Sequence, residues 1–318
     1  MTKKHVLTGL IAWLTIAGLI TVACGGGDDS GKKKSSPPKK SSPGDGSEEE
    51  PADPEDAPKP TPKAGEYTVA AVDNGGTLKG AVIWAGDVPT AELSYEYTAA
   101  KDDAEVCAGG GVAEGGKRKN GRLQLGDRDG GKKGVAHVVV WIEASEGAEL
   151  KAPADAVIDN RNCEFNPLIQ LVGPKTKLAI KNSDTTTHNT KGKFTPWGGE
   201  VEDTFNENLK GGSAASFEGG FKKAGQLKLQ CDQHYWMEGY AIVQNHPYYA
   251  MTDAKGNFEI ATAIKPGKYT VHFWHAGYKL KRDGDGKMKG YELPVRWKKA
   301  DVELKAGAND AGEVEYNK

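Results

Sequence analysis

Helical periodicity is missing from this 318-residue chain, cysteine and methionine number four each, and the one long apolar run stands at the start. The first absence excludes helical bundles and points to an all-β class. The apolar run, Val6–Ala23, is short for a spanning helix, and no apolar extension comes after it. Behind Lys3 and Lys4 it reads as an export signal over residues 1–23. No phosphate loop and no nucleophile motif occur, so no enzyme is expected. The net charge of −2 mixes basic runs with acidic ones, so no nucleic-acid partner is expected either.

The chain beyond the signal turns polar. Thr21-Val22-Ala23-Cys24-Gly25 resembles a bacterial lipobox, with Thr21 in place of the usual Leu and Cys24 as the residue to be lipidated. Residues 24–66 then hold eight of the 16 prolines, KKK and EEE runs, and no aromatic or large aliphatic side chain. Such a segment cannot bury enough apolar surface to offset its ordering entropy, so a disordered tether is expected, with a mean reach of roughly 35 Å. The expectation is an exported, membrane-anchored lipoprotein, periplasmic or on the cell surface, whose folded part stands off a membrane.

Strand signals dominate the remainder. Thr77–Trp84, His137–Ile142, Leu168–Val172, Lys177–Ile180, Gln226–Gln230, Tyr240–Val243, Asn257–Ile260 and Tyr269–Trp274 are the predicted strands, rich in β-branched and aromatic residues and separated by Gly-rich turns. Cys107–Lys133 is Gly-rich and charged and reads as a loop.

One stretch carries chemistry. CDQHYWM, Cys231–Met237, contains C-x2-H-x2-M: a thiolate, an imidazole and a thioether within seven residues. Soft sulfur donors favour Cu(I) and imidazole tolerates both copper states, so the mix suits copper. A trigonal His2Cys set with a weak axial Met needs one more imidazole, and His188, in NSDTTTHNT just after Lys177–Ile180, can supply it. On Phe165 and Pro167, Val172-Gly173, Asn182-Ser183-Asp184, His188-Asn189, Phe217, Gly225, Cys231, His234, Met237 and Gly239, residues 154–245 resemble a cupredoxin, the plastocyanin and amicyanin type of blue-copper protein. The short C-x2-H-x2-M loop is nearest the amicyanin form. The resemblance implies a Greek-key β-sandwich, one mononuclear type 1 copper held by His188, Cys231, His234 and Met237, one-electron transfer, and redox partner proteins. Two departures stand out: Leu229 replaces an aromatic residue two before Cys231, and Lys191–Gly212 is long and charged, so it is expected to cover the site or meet a partner. Asn189 is expected to orient the ligand loop, and Tyr235 and Trp236 to pack over the site. No second cysteine marks a haem attachment or a binuclear copper loop, and no paired H-x-H marks a multicopper oxidase. With Cys24 and Cys231 assigned, Cys107 and Cys163 remain, either as a disulfide, which is the expectation, or as two free thiols.

A second resemblance lies beyond the copper motif. T-D-x-x-G-x-F and PGxYxVxxxHxGY, within Tyr249–Tyr278, are similar to a carboxypeptidase regulatory-like, transthyretin-like β-sandwich. Its opening strands are found upstream, as Gly80-Ala81-Val82 and Val138-Val139-Val140. The expected order is therefore a sandwich begun in residues 67–153, a cupredoxin over 154–245, and the sandwich completed in 246–318; two tandem domains are the alternative. Proteins described as methylamine-utilisation-like share this order. Copper storage or delivery, a cell-surface binding module with incidental copper, and an accessory subunit of an enzyme are the rivals to an electron carrier. His137, His246, His272 and His275 are expected to be structural, the last two facing opposite sides of one strand.

Overall fold

A computed structural model describes residues 67–97, 103–108, 112–113, 117–153, 155–218, 220–221 and 223–316. The export signal, Cys24 and the tether lie outside the described residues. Among the described residues no helix is long and apolar enough to cross a membrane.

The chain is all-β, with one short α-helix, α1 (Ala104–Ala108), among the described residues. An inner sandwich is built from two sheets. One holds Glu164–Asn166, Asp155–Arg161, Lys177–Asn182 and Ala214–Phe217, in that order. The other holds Ile169–Val172, Glu238–Val243, Gly225–Gln230, His188–Pro196 and Glu202–Leu209. Asp155–Arg161 alternates between buried and outward positions, as a strand with one wet face should. Ile158, Leu178, Ile180, Leu227, Leu229, Ala241 and Val243 fill the space between the sheets. Leu229 is thus a core residue of the inner sandwich.

The outer sandwich joins strands from both sides of this insert. Gly76–Trp84 pairs with Asn257–Ile264, Lys133–Val135 and Gly307–Glu315, and Val139–Ile142 pairs with Tyr249–Met251 and Gly267–His275. Val295–Leu304 completes the second sheet against Gly267–His275. Leu78, Val82, Val140, Ile142, Phe258, Val271 and Phe273 form its core.

Two strands are buried along their whole length, Glu238–Val243 and Val139–Ile142. Each faces a core on both sides. Ala241 and Val243 point into the inner sandwich, and Val140 and Ile142 into the outer one. Tyr240 and Ile242 meet Val139, Trp141 and Trp274 in a third core that joins the two sandwiches. Trp197, from the inner sandwich, stacks on Trp141 at 5.3 Å and 9°, and the Arg296 guanidinium lies 4.3 Å from the Trp197 ring.

Three expectations need correction. Cys107–Lys133 is not a plain loop: it carries the end of α1 and the short strands Lys117–Lys119 and Leu125–Asp127. The buried guanidinium of Arg118 orders it, donating to the Cys107 and Asn162 carbonyls and to Glu164. Lys191–Gly212 is not an irregular cover: most of it forms the hairpin of His188–Pro196 and Glu202–Leu209, which extends the five-stranded sheet to its edge and pairs Leu209 with His188. The strand predicted from His137 begins instead at Val139, because His137 takes a left-handed turn at φ 62°.

Candidate metal centre

Three of the sequence-predicted residues, His188, Cys231 and His234, converge at one end of the inner sandwich, and Met237 lies in the same loop as two of them. His188 opens the strand that pairs with Gly225–Gln230, and Cys231 comes directly after the last residue of that partner strand. His234 and Met237 sit in the loop between Gln230 and Glu238. The loop is closed from within: Cys231 N–H donates to the Met237 carbonyl at 3.1 Å, and Met237 N–H to the His234 carbonyl at 2.8 Å. Gly239 keeps the next strand close to Phe165; a Cβ there would stand 2.8 Å from the Phe165 Cβ.

The donor atoms face one another. Nδ1 of His188 is 3.0 Å from Nδ1 of His234, and Cys231 Sγ is 3.7 Å from that same His234 Nδ1. All three residues are buried, at 0%, 4% and 1% exposure for His188, Cys231 and His234. Ligands roughly 2.0–2.3 Å from a common ion are separated by about 3–4 Å, so two nitrogens and a sulfur at these spacings fit one cation. Met237 is 1% exposed and belongs to the same buried cluster as Cys231.

The electrostatics are those of a thiolate beside an imidazolium. Burial works against charging either group in the metal-free protein. For Cys231 it is outweighed by hydrogen bonds from His188, His234 and the Asn189 and His234 backbone, which bring the thiol down to about 6. For His188 it is outweighed by Asp184 and Cys231, which raise the imidazole to about 9. A thiolate is the form of Cys231 that binds a soft metal, whereas His188, held charged, would have to release its Nδ1 proton to ligate. Asn189 acts as expected: its backbone N–H serves Cys231 and its side-chain carbonyl accepts from Asp232 N–H at 3.3 Å.

Cys107 and Cys163 are joined in a disulfide. Their sulfurs lie within 4.8 Å of a His234 ring nitrogen, yet the bond between them leaves Cys231 as the free thiol among the described residues. Trp236 packs over the site, its ring centroid 5.1 Å from that of His234 and its Nε1 donating to the Cys163 carbonyl at 3.0 Å. Of the other histidines, His275 is fully buried, accepts from Gly277 N–H and lies 3.1 Å from the Tyr316 hydroxyl, while His272 stacks on Trp141.

Two residues at the centre were not singled out from sequence as parts of it. Asp184 lies 2.8 Å from His188 Nε2, and Asp103, on the turn into α1, lies 3.3 Å from His234 Nε2. Asp184 stands four residues before His188, a spacing that could have marked it. Asp103 is 131 residues from His234, and nothing local announces it.

Comparison with protein-family models and with curated proteins finds no match. Among solved structures, a copper-containing nitrite reductase from Thermus scotoductus SA-01 is similar over 31% of this chain and 24% of its own, at 19% identity and a TM-score of 0.25. A purple cupredoxin from Nitrosopumilus maritimus is similar over 29% of this chain and 100% of its own, at 25% identity and a TM-score of 0.24. A reduced amicyanin variant is similar over 28% of this chain and 82% of its own, at 20% identity and a TM-score of 0.24. These are partial likenesses to cupredoxins, and the chain spans about a quarter of the reductase's length.

Proposed function

We propose that the chain holds one copper ion through His188, Cys231 and His234, with the Met237 thioether as a weak fourth donor, and that it carries single electrons. The observation that carries this reading is the convergence of two Nδ1 atoms and one thiolate sulfur, 3.0 and 3.7 Å apart, in a buried pocket. Copper in such a set supplies a one-electron couple whose two states tolerate the same donors. The chain's own part is to keep those donors from moving. Strand pairing brings the strand that His188 opens beside the end of Gly225–Gln230, the Cys231–Met237 backbone bonds fix the loop, and Trp236 packs on the His234 ring. Burial of all three donors favours a resident ion over one handed to another protein, which separates a carrier from a delivery or storage protein. We place the chain among carriers rather than enzymes, since the donor set by itself accounts for electron transfer. Export, an acyl anchor on Cys24 and a protein redox partner complete the proposal.

The deciding experiment is a visible and EPR spectrum of the copper-loaded protein beside Cys231→Ser. An intense thiolate-to-copper absorption in the first, absent from the folded variant, is expected. An unchanged spectrum in the variant would remove Cys231 from the ligand set and the carrier reading with it.

A further inference from the structure

We infer that Asp103 and Asp184 are positioning residues, which hold His234 and His188 by their Nε2 atoms and so turn both Nδ1 atoms toward a single ion. The inference rests on the proposed copper site and adds two residues to it.

The geometry is symmetrical in function though not in sequence. Each imidazole presents Nδ1 to the other and to Cys231, and each has a carboxylate at the opposite ring nitrogen, at 2.8 Å for His188 and 3.3 Å for His234. A carboxylate at Nε2 accepts that atom's proton. Once the ring is neutral, that contact fixes the tautomer in which Nδ1 bears a lone pair, and it makes the imidazole a stronger donor.

Both carboxylates are placed by one hairpin turn. Asn162 and Cys163, at φ 57° and 54°, form the two-residue connection between Asp155–Arg161 and Glu164–Asn166. Their N–H groups donate to the two oxygens of Asp184, at 2.6 and 2.8 Å. Cys163 is also the disulfide partner of Cys107, and Cys107 lies in the helix that Asp103 leads into. Cys107 N–H donates to the Asp103 carbonyl, and the Thr186 hydroxyl donates to the Asp103 carboxylate. The disulfide therefore fastens α1 where its leading carboxylate meets His234. This makes the Cys107–Cys163 bond part of the centre's support as well as a staple of the fold.

Asp184 holds a buried turn, so its variants risk the fold; Asp103 is 22% exposed at its side chain and is the better target. The test uses the full chain with 15N-labelled histidine. In the metal-free protein His234 is expected to carry its proton on Nε2, and Asp103→Ala is expected to lose that preference. Asp103→Asn, which keeps an acceptor and drops the charge, should retain the tautomer. On the loaded protein, Asp103→Ala is expected to weaken Cu(II) binding ten- to a hundredfold, with Cu(I) affinity changed less. Each tenfold lost from Cu(II) alone raises the reduction potential by about 59 mV. A His234 tautomer that is the same in wild type and Asp103→Ala, or a Cu(II) affinity within twofold of wild type, would overturn the inference. Were the wild type to bind no copper, the metal reading would fall, and the metal-free tautomer would still decide the role of Asp103.

Discussion

Removing the Arg122 cation should cost more stability than any surface charge in this protein. Arg122 is 2% exposed, its Nη2 donates to Glu238 Oε2 at 2.8 Å and its Nη1 to the Ala276 carbonyl at 3.0 Å. Its guanidinium carbon lies 3.6 Å from the Tyr291 ring centroid. Glu238 belongs to the inner sandwich and Ala276 comes just after a strand of the outer one, so the side chain spans the junction. Breaking a buried pair by deleting one partner costs about 3–5 kcal/mol, mostly because the other charge stays buried. Here Glu238 would keep Lys228 Nζ at 3.0 Å and Gln230 Nε2 at 3.3 Å, which moves the charge contribution toward the lower end. Loss of a desolvated cation–π contact adds about 1–2 kcal/mol. Arg122→Met, which preserves much of the side-chain bulk, should therefore lose about 4 kcal/mol, and its urea midpoint should fall by about 1–2 M. Adding Glu238→Gln to it should restore at least about 1 kcal/mol, since the stranded carboxylate is then gone. Equilibrium urea unfolding of the wild type, both single variants and the double variant measures this. A loss below about 1 kcal/mol in Arg122→Met, or strict additivity in the double variant, would refute the pairing argument.

Three further outcomes are expected. Met237→Leu should keep copper bound and raise the reduction potential, because losing the weak axial donation and drying that side of the site destabilise the more highly charged Cu(II), while the volume-conserving change costs under about 1.5 kcal/mol; a redox titration showing an unmoved potential would count against a thioether ligand. Cys107→Ser with Cys163→Ser should lower stability by about 2–4 kcal/mol for a bridge between residues 56 apart, read from thermal or urea unfolding. Burial lowers His246 to about 4 and His275 to about 3, so both are neutral in the folded chain at pH 7. Below the unfolded value of about 6.5 the unfolded chain takes up protons that the fold refuses, so stability present above pH 6.5 is lost as pH falls toward 4, by about 2 kcal/mol per histidine at pH 5. His246→Asn keeps an acceptor for the Tyr248 N–H and should reduce that pH slope by about 1.4 kcal/mol per unit; an unchanged slope would contradict it.

The parts of the centre that were readable in the sequence are the local ones. Cys231, His234 and Met237 lie within one loop, and His188 comes after a strand whose apolar pattern is plain. Asp103, Arg118 and Arg122 were not readable, since their partners His234, Glu164 and Glu238 lie 131, 46 and 116 residues away. Composition misled over Cys107–Lys133, where glycine and charge argue for a loop while buried arginine contacts and a disulfide supply the order. The strand ending at Val243 is expected from Tyr240 on its apolar run. The strand begins instead at Glu238, with that carboxylate neutralised across the junction by Arg122.

The interleaving of the two sandwiches also dictates an order of assembly. Ile142 N–H donates to the Tyr248 carbonyl at 3.0 Å and Ala148 N–H to the Tyr248 hydroxyl at 2.9 Å, so chain that leaves the outer sandwich meets chain that re-enters it about a hundred residues later. Closing a flexible loop of that length costs about 2 kcal/mol more than closing one of about ten residues. An inner sandwich that has already folded presents its two ends side by side and removes most of that difference. The strands Gly76–Trp84 and Val139–Ile142 emerge first during synthesis; Gly76–Trp84 can meet Lys133–Val135 early, yet its pairing with Asn257–Ile264, and that of Val139–Ile142 with Tyr249–Met251, must wait until those later strands have been made. A lesion in the inner core, such as one at Leu227, would thus first be felt as failed closure of a sandwich to which that residue does not belong.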